Sequence, residues 1–378
     1  MMRVGIYTLP LNYNYGGLLQ VYALQTVLEK MGCEVTILDR PLHAIEPFWK
    51  RPREKAKRVV RKYLLGQHDV QVFLENNEAR AYPIIAQNTQ RFIDQHLHTV
   101  MVRDTRHLRN ADFDALVVGS DQIWRCAFHD SKRKLYDAYL EFAEGWNVLR
   151  VAYAASLGTD HWEYDAEKTA RCRQLIQKFD AVSVRESSGV KLVKEHFGMD
   201  AVHVLDPTML LTAKDYEPLF LGKTAESKGK LMTYILDEND EKKKIVEQVS
   251  TRTGLRPFAV NAQADNIHLP VRERIQPTVE QWLRGFFDAD FVVTDSFHAC
   301  VFSILFGKQF MVIGNKNRGM SRFDSLLSML NLQDRLVDTG RYEGIIMPSS
   351  DLAKAQDLLK EKKEFSLDFL SKTLSLWN

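Results

Sequence analysis

The sequence predicts an α/β protein made of two parallel-sheet halves, and three observations carry that reading. A βαβ unit opens the chain; short apolar, β-rich runs then alternate with helix-period segments; and a break rich in Gly, Lys and Ser at 222–230 separates two such series.

In order, residues 3–9 read as a strand, 12–17 as a loop, 18–31 as a helix closed by Gly32, and 34–39 as a second strand. Strands joined in this way are parallel, with a right-handed crossover. The stretch of about 41–110 is polar and basic with few strand signals, so it reads as a helical insertion. Strands resume at 113–118, 150–155, 181–184 and 201–205. Beyond the break, strands at 231–236, 257–261, 291–294 and 310–313 alternate with helices at 240–253, 279–287, 297–306 and 322–330. The predicted organisation is therefore a first domain at 1–220, a second at 221–350, and a last helix within 351–378 that packs back on the first domain.

A chain of 378 residues exceeds one compact core. With 45% hydrophobic and 26% charged residues it falls outside the disordered class, and 51 basic against 49 acidic residues leave no global field for nucleic acid. One local exception is the basic run 50–62, either a solvated helix face or a patch for anionic lipid headgroups. Cys33, Cys126, Cys172 and Cys300 are too dispersed for a zinc knuckle or a disulfide framework and read as reduced thiols. His96, His98 and His129 lack a convincing third ligand, so no metal site is expected. Met1 leads directly into a strand and no run of 18 apolar residues follows, which predicts a cytoplasmic protein.

Ligands of parallel α/β sheets bind at the carboxyl ends of the strands, and the least generic residues of this chain fall there. Gly16 and Gly17, at the mouth of a helix, permit close backbone approach and suit either an anion or a plain turn. Ser120 and Asp121 after a buried strand are a hydroxyl or phosphate contact, or a turn with Asp121 as a helix cap. Arg185 ends a strand and should point to the cleft mouth, where its planar fork suits a carboxylate or phosphate; the alternative is an ion pair with Glu186 or Glu195. His298 lies just inside a helix whose dipole disfavours an imidazolium, which suits a neutral base, although a core histidine has the same pattern. Asp295 and Ser296 sit near it, but no GxSxG elbow supports a hydrolase triad. Lys316, Arg318 and Arg322 beside Gly314 and Gly319 form a candidate phosphate nest, or a solvated turn.

The set formed by the 14–17 loop with Gln20, Ala23 and Leu24, by 119–124, by 183–187, by 294–298 and by 317–323 resembles the polysaccharide pyruvyl transferase family. The resemblance spans roughly 3–337. It implies a GT-B-like fold, two Rossmann-like domains facing a cleft, and transfer of pyruvate from phosphoenolpyruvate onto a hydroxyl pair of a cell-surface polysaccharide or its lipid-linked precursor. No cofactor is implied. It marks His298 and Arg185 as catalytic or donor-binding, with Ser296, Lys316, Arg318 and Arg322 around the donor. Asn12, Tyr15, Gly16, Gly17, Ser120, Asp121 and Gln122 would line the cleft wall and meet the acceptor. The family pattern has an arginine two positions before this histidine, where the chain has Ser296; Arg318 and Arg322 are candidates to restore that charge. Two other readings fit the same architecture, a nucleotide-sugar-dependent glycosyltransferase and a non-catalytic glycan- or protein-binding paralogue.

Overall fold

A computed structural model describes residues 1–42, 52–68, 70–314, 319–337 and 347–377. The first half holds β1 (Met2–Tyr7), β2 (Cys33–Asp39), β3 (Thr99–Met101), β4 (Ala115–Val118), β5 (Leu149–Ala155), β6 (Ala181–Val184) and β7 (Val202–His203). They form one parallel sheet in the order β3-β2-β1-β4-β5-β6-β7. Its helices are α1 (Tyr15–Lys30), α2 (Pro52–Val59), α3 (Leu74–Ile85), α4 (Gln87–His96), α5 (Lys132–Asp137), α6 (Ala166–Ile176), α7 (Ser187–Phe197) and α8 (Ala213–Phe220).

The second half has β8 (Leu231–Tyr234), β9 (Pro257–Ala259), β10 (Phe291–Thr294), β11 (Gln309–Ile313) and β12 (Leu336–Val337), parallel in the order β12-β11-β10-β8-β9. Helices α9 (Asp240–Thr253), α10 (Val279–Asp288), α11 (Phe297–Leu305), α12 (Ser321–Met329) and α13 (Leu352–Leu374) flank it. Two parallel α/β units thus face one another, the GT-B-like arrangement. Central strands are predominantly apolar because both faces are covered: every residue of β4, β5 and β10 is buried, Arg150 and Thr294 included. The stretch predicted as a helical insertion departs from this reading, since Thr99–Met101 adds β3 to the sheet edge. Its three residues are exposed and carry no buried face from which alternation could be read.

One apolar core runs from the first sheet to the second. Tyr216 of α8 meets Phe302 of α11 edge-on at 5.0 Å, and Tyr15 of α1 stacks on Trp282 of α10 at 5.3 Å. Helix α13 crosses back to the first sheet: Leu370 is fully buried, Phe369 packs against Tyr153 of β5, and Ser366 Oγ accepts from the Leu205 amide. Leu370→Ala is therefore expected to cost about 2–5 kcal/mol, whereas truncating the exposed Leu376 should change stability by under about 0.5 kcal/mol. Urea unfolding of both variants measures the contrast.

Candidate active site

Each sheet reverses its strand order once, between β1 and β4 in the first and between β8 and β10 in the second. A reversal leaves a crevice, because the connections on its two sides run to opposite faces. The segments Asn14–Gly17 and Gly119–Gln122 flank the first crevice, and the residues after β8 and β10 flank the second. The two crevices meet, and the N-termini of α1, α11 and α12 line the cavities at this junction.

The electrostatic centre is Asp206, just after β7 and almost wholly buried. Its Oδ1 accepts from the Thr208 amide and hydroxyl at 3.0 and 2.6 Å. Oδ2 accepts from Arg185 Nη1 at 2.6 Å and from Ser120 Oγ at 3.2 Å, and His298 Nε2 of the second half lies 3.6 Å away. Burial alone would push this carboxyl up; His298, Arg185 and Thr208 outweigh it and hold the group far below the usual carboxylate range. Burial likewise works against the charge on Arg185, but Asp206, Glu186 and Asp121 hold its guanidinium above the ordinary arginine value.

Arg185 is not at the cleft mouth, where the sequence placed it. Its side chain is 2% exposed, packed under Asp206 and 4.6 Å from the Phe297 ring centroid. Nε faces Glu186 at 3.4 Å, and Nη2 faces Asp121 at 3.7 Å. The expected partner Glu186 is therefore one of three acids around it. Arg322, at the start of α12, lies over the same Phe297 ring at 5.5 Å and borders the cleft. Burial first, and the like charge of Arg185 second, pull its guanidinium down to about 10, against the pull of Asp121 and Glu186. At neutral pH Arg322 is still a cation.

His298 follows the Ser296 cap of α11, whose Oγ accepts from the Ala299 amide at 3.5 Å. Opposite it, Asn14 caps α1 by accepting from the amides of Gly16 and Gly17. A Cβ on Gly16 would come within 2.1 Å of His298 Nδ1, so only glycine lets α1 approach the imidazole. The close approach anticipated at Gly16 is real, but the partner is a side chain of the other half. Asp295 takes no part in a triad: its oxygens accept from the Leu236 and Asp237 amides and from Lys242 Nζ.

Two cavities share His298 and Ser296. One, of about 370 Å³, lies between the halves and holds Asp121, Gln122, Arg125 and Arg322. The other, of about 410 Å³, opens over the ends of β8 and β9. Asn12 and Gly17 border a third space of about 360 Å³ that also includes Asp121 and Gln122. Tyr15 and Ser120, predicted for the wall, are fully buried: the Tyr15 hydroxyl donates to the Pro277 carbonyl at 2.6 Å, pinning the halves together, while Ser120 serves Asp206. Asp121 does not cap a helix; it adopts φ 62° in a turn. Lys316 and Arg318 lie outside the described residues. From the sequence, the Asp206-Pro207 pair is one of the strand-end segments able to reach the cleft, but nothing local assigns Asp206 a role in the site. Sequence reasoning missed Arg125, which has no local signature.

A carboxyl held low in the fold stabilises it above the unfolded value of about 3.9 and loses that contribution as pH falls. Asp206→Asn is expected to lower stability at neutral pH by about 3–5 kcal/mol, because Arg185 is left buried with fewer counter-charges. The variant should also lose stability less steeply than the parent between about pH 5 and the acid limit. Urea titrations across that window test both signs.

No curated protein matches the chain. Among solved structures, UGT89C1 of Arabidopsis thaliana complexed with UDP-L-rhamnose is 11% identical and superposes with a TM-score of 0.49 over 98% of each chain. MurG of Acinetobacter baumannii is 10% identical with a TM-score of 0.44, over 99% of this chain and 94% of its own. The sequence model of the polysaccharide pyruvyl transferases matches residues 14–317, from the Asn14 cap of α1 to just past β11. That span contains Gly16, Asp121, Arg185, Asp206 and His298, and the chain belongs to the polysaccharide pyruvyl transferase family, transferases of polysaccharide biosynthesis.

Proposed function

We propose that the protein uses phosphoenolpyruvate to place a pyruvate ketal on a pair of sugar hydroxyls, releasing phosphate. The observation that carries this reading is His298, whose Nε2 lies 3.6 Å from the Asp206 carboxylate and which lines a cavity that also contains Arg322 and Arg125. An acid–base group and cations for an anionic donor are what the chemistry requires. A proton adds to the methylene carbon of the donor and the first sugar hydroxyl bonds to its neighbour carbon, giving up its own proton. The second hydroxyl then bonds to the same carbon as the bond to the phosphate oxygen breaks, and its proton leaves with phosphate. His298 gives and recovers the proton. Asp206, 3.6 Å from Nε2, is the counter-charge to the imidazolium formed in this cycle.

Family membership supports this donor, and the three helix N-termini at the junction add partial positive charge there. Ser296 stands where the family pattern has arginine. In this reading Arg322 supplies the charge instead, from α12 and across Phe297. The donor needs no cofactor, because guanidinium groups meet its carboxylate and phosphate.

Thermal or urea stabilisation by phosphoenolpyruvate, against uridine and guanosine diphosphates, tests the donor. At a hundred times its dissociation constant the ligand should add about 2.7 kcal/mol. Arg322→Ala should abolish the gain. His298→Gln should retain it while phosphate release with acceptor falls about a hundredfold or more. Stabilisation by a nucleoside diphosphate alone would sink the reading.

The acceptor in this reading is carried at a lipid surface. Helix α2 and the single π-helical turn after it, Val60–Leu64, expose Val59, Val60, Tyr63, Leu64 and Leu65 beside the exposed cations Arg53, Lys57 and Arg61. Large apolar side chains among cations suit an anionic membrane interface. Lys50 and Arg51 of the basic run lie outside the described residues. Among the described residues, no helix is long and apolar enough to cross a membrane. The protein should sediment with phosphatidylglycerol vesicles but not with phosphatidylcholine ones, and Leu64→Asp or Arg61→Glu should weaken that binding severalfold; equal binding by all three proteins would exclude this surface.

A further inference from the structure

Phe297 occupies the first position of α11, between the Ser296 cap and His298, and it is 5% exposed. Two guanidinium groups lie over its ring, Arg185 at 4.6 Å and Arg322 at 5.5 Å from the centroid, and Phe323, next in the chain after Arg322, packs on it at 6.1 Å. Two like charges so placed repel one another. Burial opposes the charge on Arg322 and Arg185 opposes it further, while Asp121 and Glu186 work in its favour. A phenyl face carries the negative end of a quadrupole and attracts a cation within about 6 Å without adding a net charge. The cavity that Arg322 borders is also lined by Asp121, Asp237 and Asp295. Asp121 faces Arg185, and Asp295 is engaged by Lys242 and two amides. Among such neighbours an anion can settle only where a cation is kept charged and close to it.

Resting on the donor reading above, we propose that Phe297 is a positioning residue for the transfer, its ring face holding the Arg322 guanidinium at the donor cavity. The hold is electrostatic and does not come from shape. An aliphatic side chain of similar bulk would fill the same volume, yet it would offer no negative face, and Arg322 would meet Arg185 across an apolar spacer. Phe297 and His298 are consecutive in the first turn of α11. One turn of helix therefore fixes both the acid–base group and the anchor of the donor's cation. The placement of that cation is then set by the helix, and not by the flexible arginine stem, which would otherwise sample many rotamers. Phe297 acts in this scheme through Arg322 alone.

The test changes the charge on the ring at nearly constant shape. By amber-codon suppression, Phe297 is replaced with phenylalanine carrying one, two or three ring fluorines, each of which weakens the negative face. The series is made in the parent and in Arg322→Met, which keeps an unbranched apolar stem. Every protein is read for its urea midpoint and for its phosphoenolpyruvate dissociation constant, taken from stabilisation at rising ligand concentration. Expected in the parent is a graded weakening of phosphoenolpyruvate binding that reaches about tenfold with three fluorines. Its urea midpoint should fall along the same series, and by less in Arg322→Met. A ring that merely packs would show neither trend, because its volume hardly changes. In a parent that binds phosphoenolpyruvate, an affinity that ignores fluorination would overturn the proposal. So would a midpoint that responds equally in both backgrounds, which would assign the effect of the ring to Arg185. If phosphoenolpyruvate is silent on the parent while the midpoint still responds through Arg322, the hold of the ring on Arg322 stands and only the donor reading fails.

Discussion

A buried carboxylate, Asp206, is the constraint on which the site depends. Arg185 cannot be buried as a lone cation, since the desolvation of an unpaired charge costs more than packing returns. Asp206 supplies the close counter-charge at 2.6 Å, with Glu186 and Asp121 further out. The same Oδ2 faces His298 from the other half. One carboxylate therefore neutralises Arg185 at the first sheet's edge and faces the imidazole of the second half. Anything that moves β7 relative to α11 disturbs both.

That arrangement leaves the cleft itself with few charges, and each has a distinct place. Arg185 is spent on structure beneath the floor, and the Phe297 ring separates it from Arg322, which does reach the cavity. Arg125 is steadied there by Gln122 Oε1 at 3.0 Å and by Glu163 at 3.5 Å. On the far side of His298 the lining turns acidic and amide-rich. The imidazole thus stands at the boundary between two cavities, one lined by two arginines and three aspartates and one with no lysine or arginine among its described lining residues.

The halves are held in register by contacts concentrated near this boundary. Tyr15 reaches Pro277 and Trp282, Asn88 donates to the Gln276 carbonyl, and the Ser187 amide donates to Ser325 at the opposite edge. Gly16 contributes by what it lacks, since a side chain there would wedge α1 away from His298. The geometry around His298 and inter-half packing are consequently the same problem in this protein, solved by the same few residues.

Local physics made much of this legible from the chain alone. Runs apolar on both faces identified β6 and β10 to the residue, and the helix predicted at 297–306 starts where α11 does, whereas α1 starts at Tyr15, ahead of the predicted 18. His298 stood out because a histidine at the first turn of a helix after a buried strand is chemically unusual. The edge strand β3 escaped because exposed strands carry no alternation. The burial of Arg185 was not legible because its surroundings are remote: Asp206 is 21 residues away and Ser120, which donates to the same carboxylate, is 86 residues from that aspartate. Helix and strand preferences act between near neighbours in sequence, so the order of residues determined the elements. Charge pairing, burial and the sharing of His298 between two cavities depend on distances in space, and those came into being only when the two sheets closed on one another.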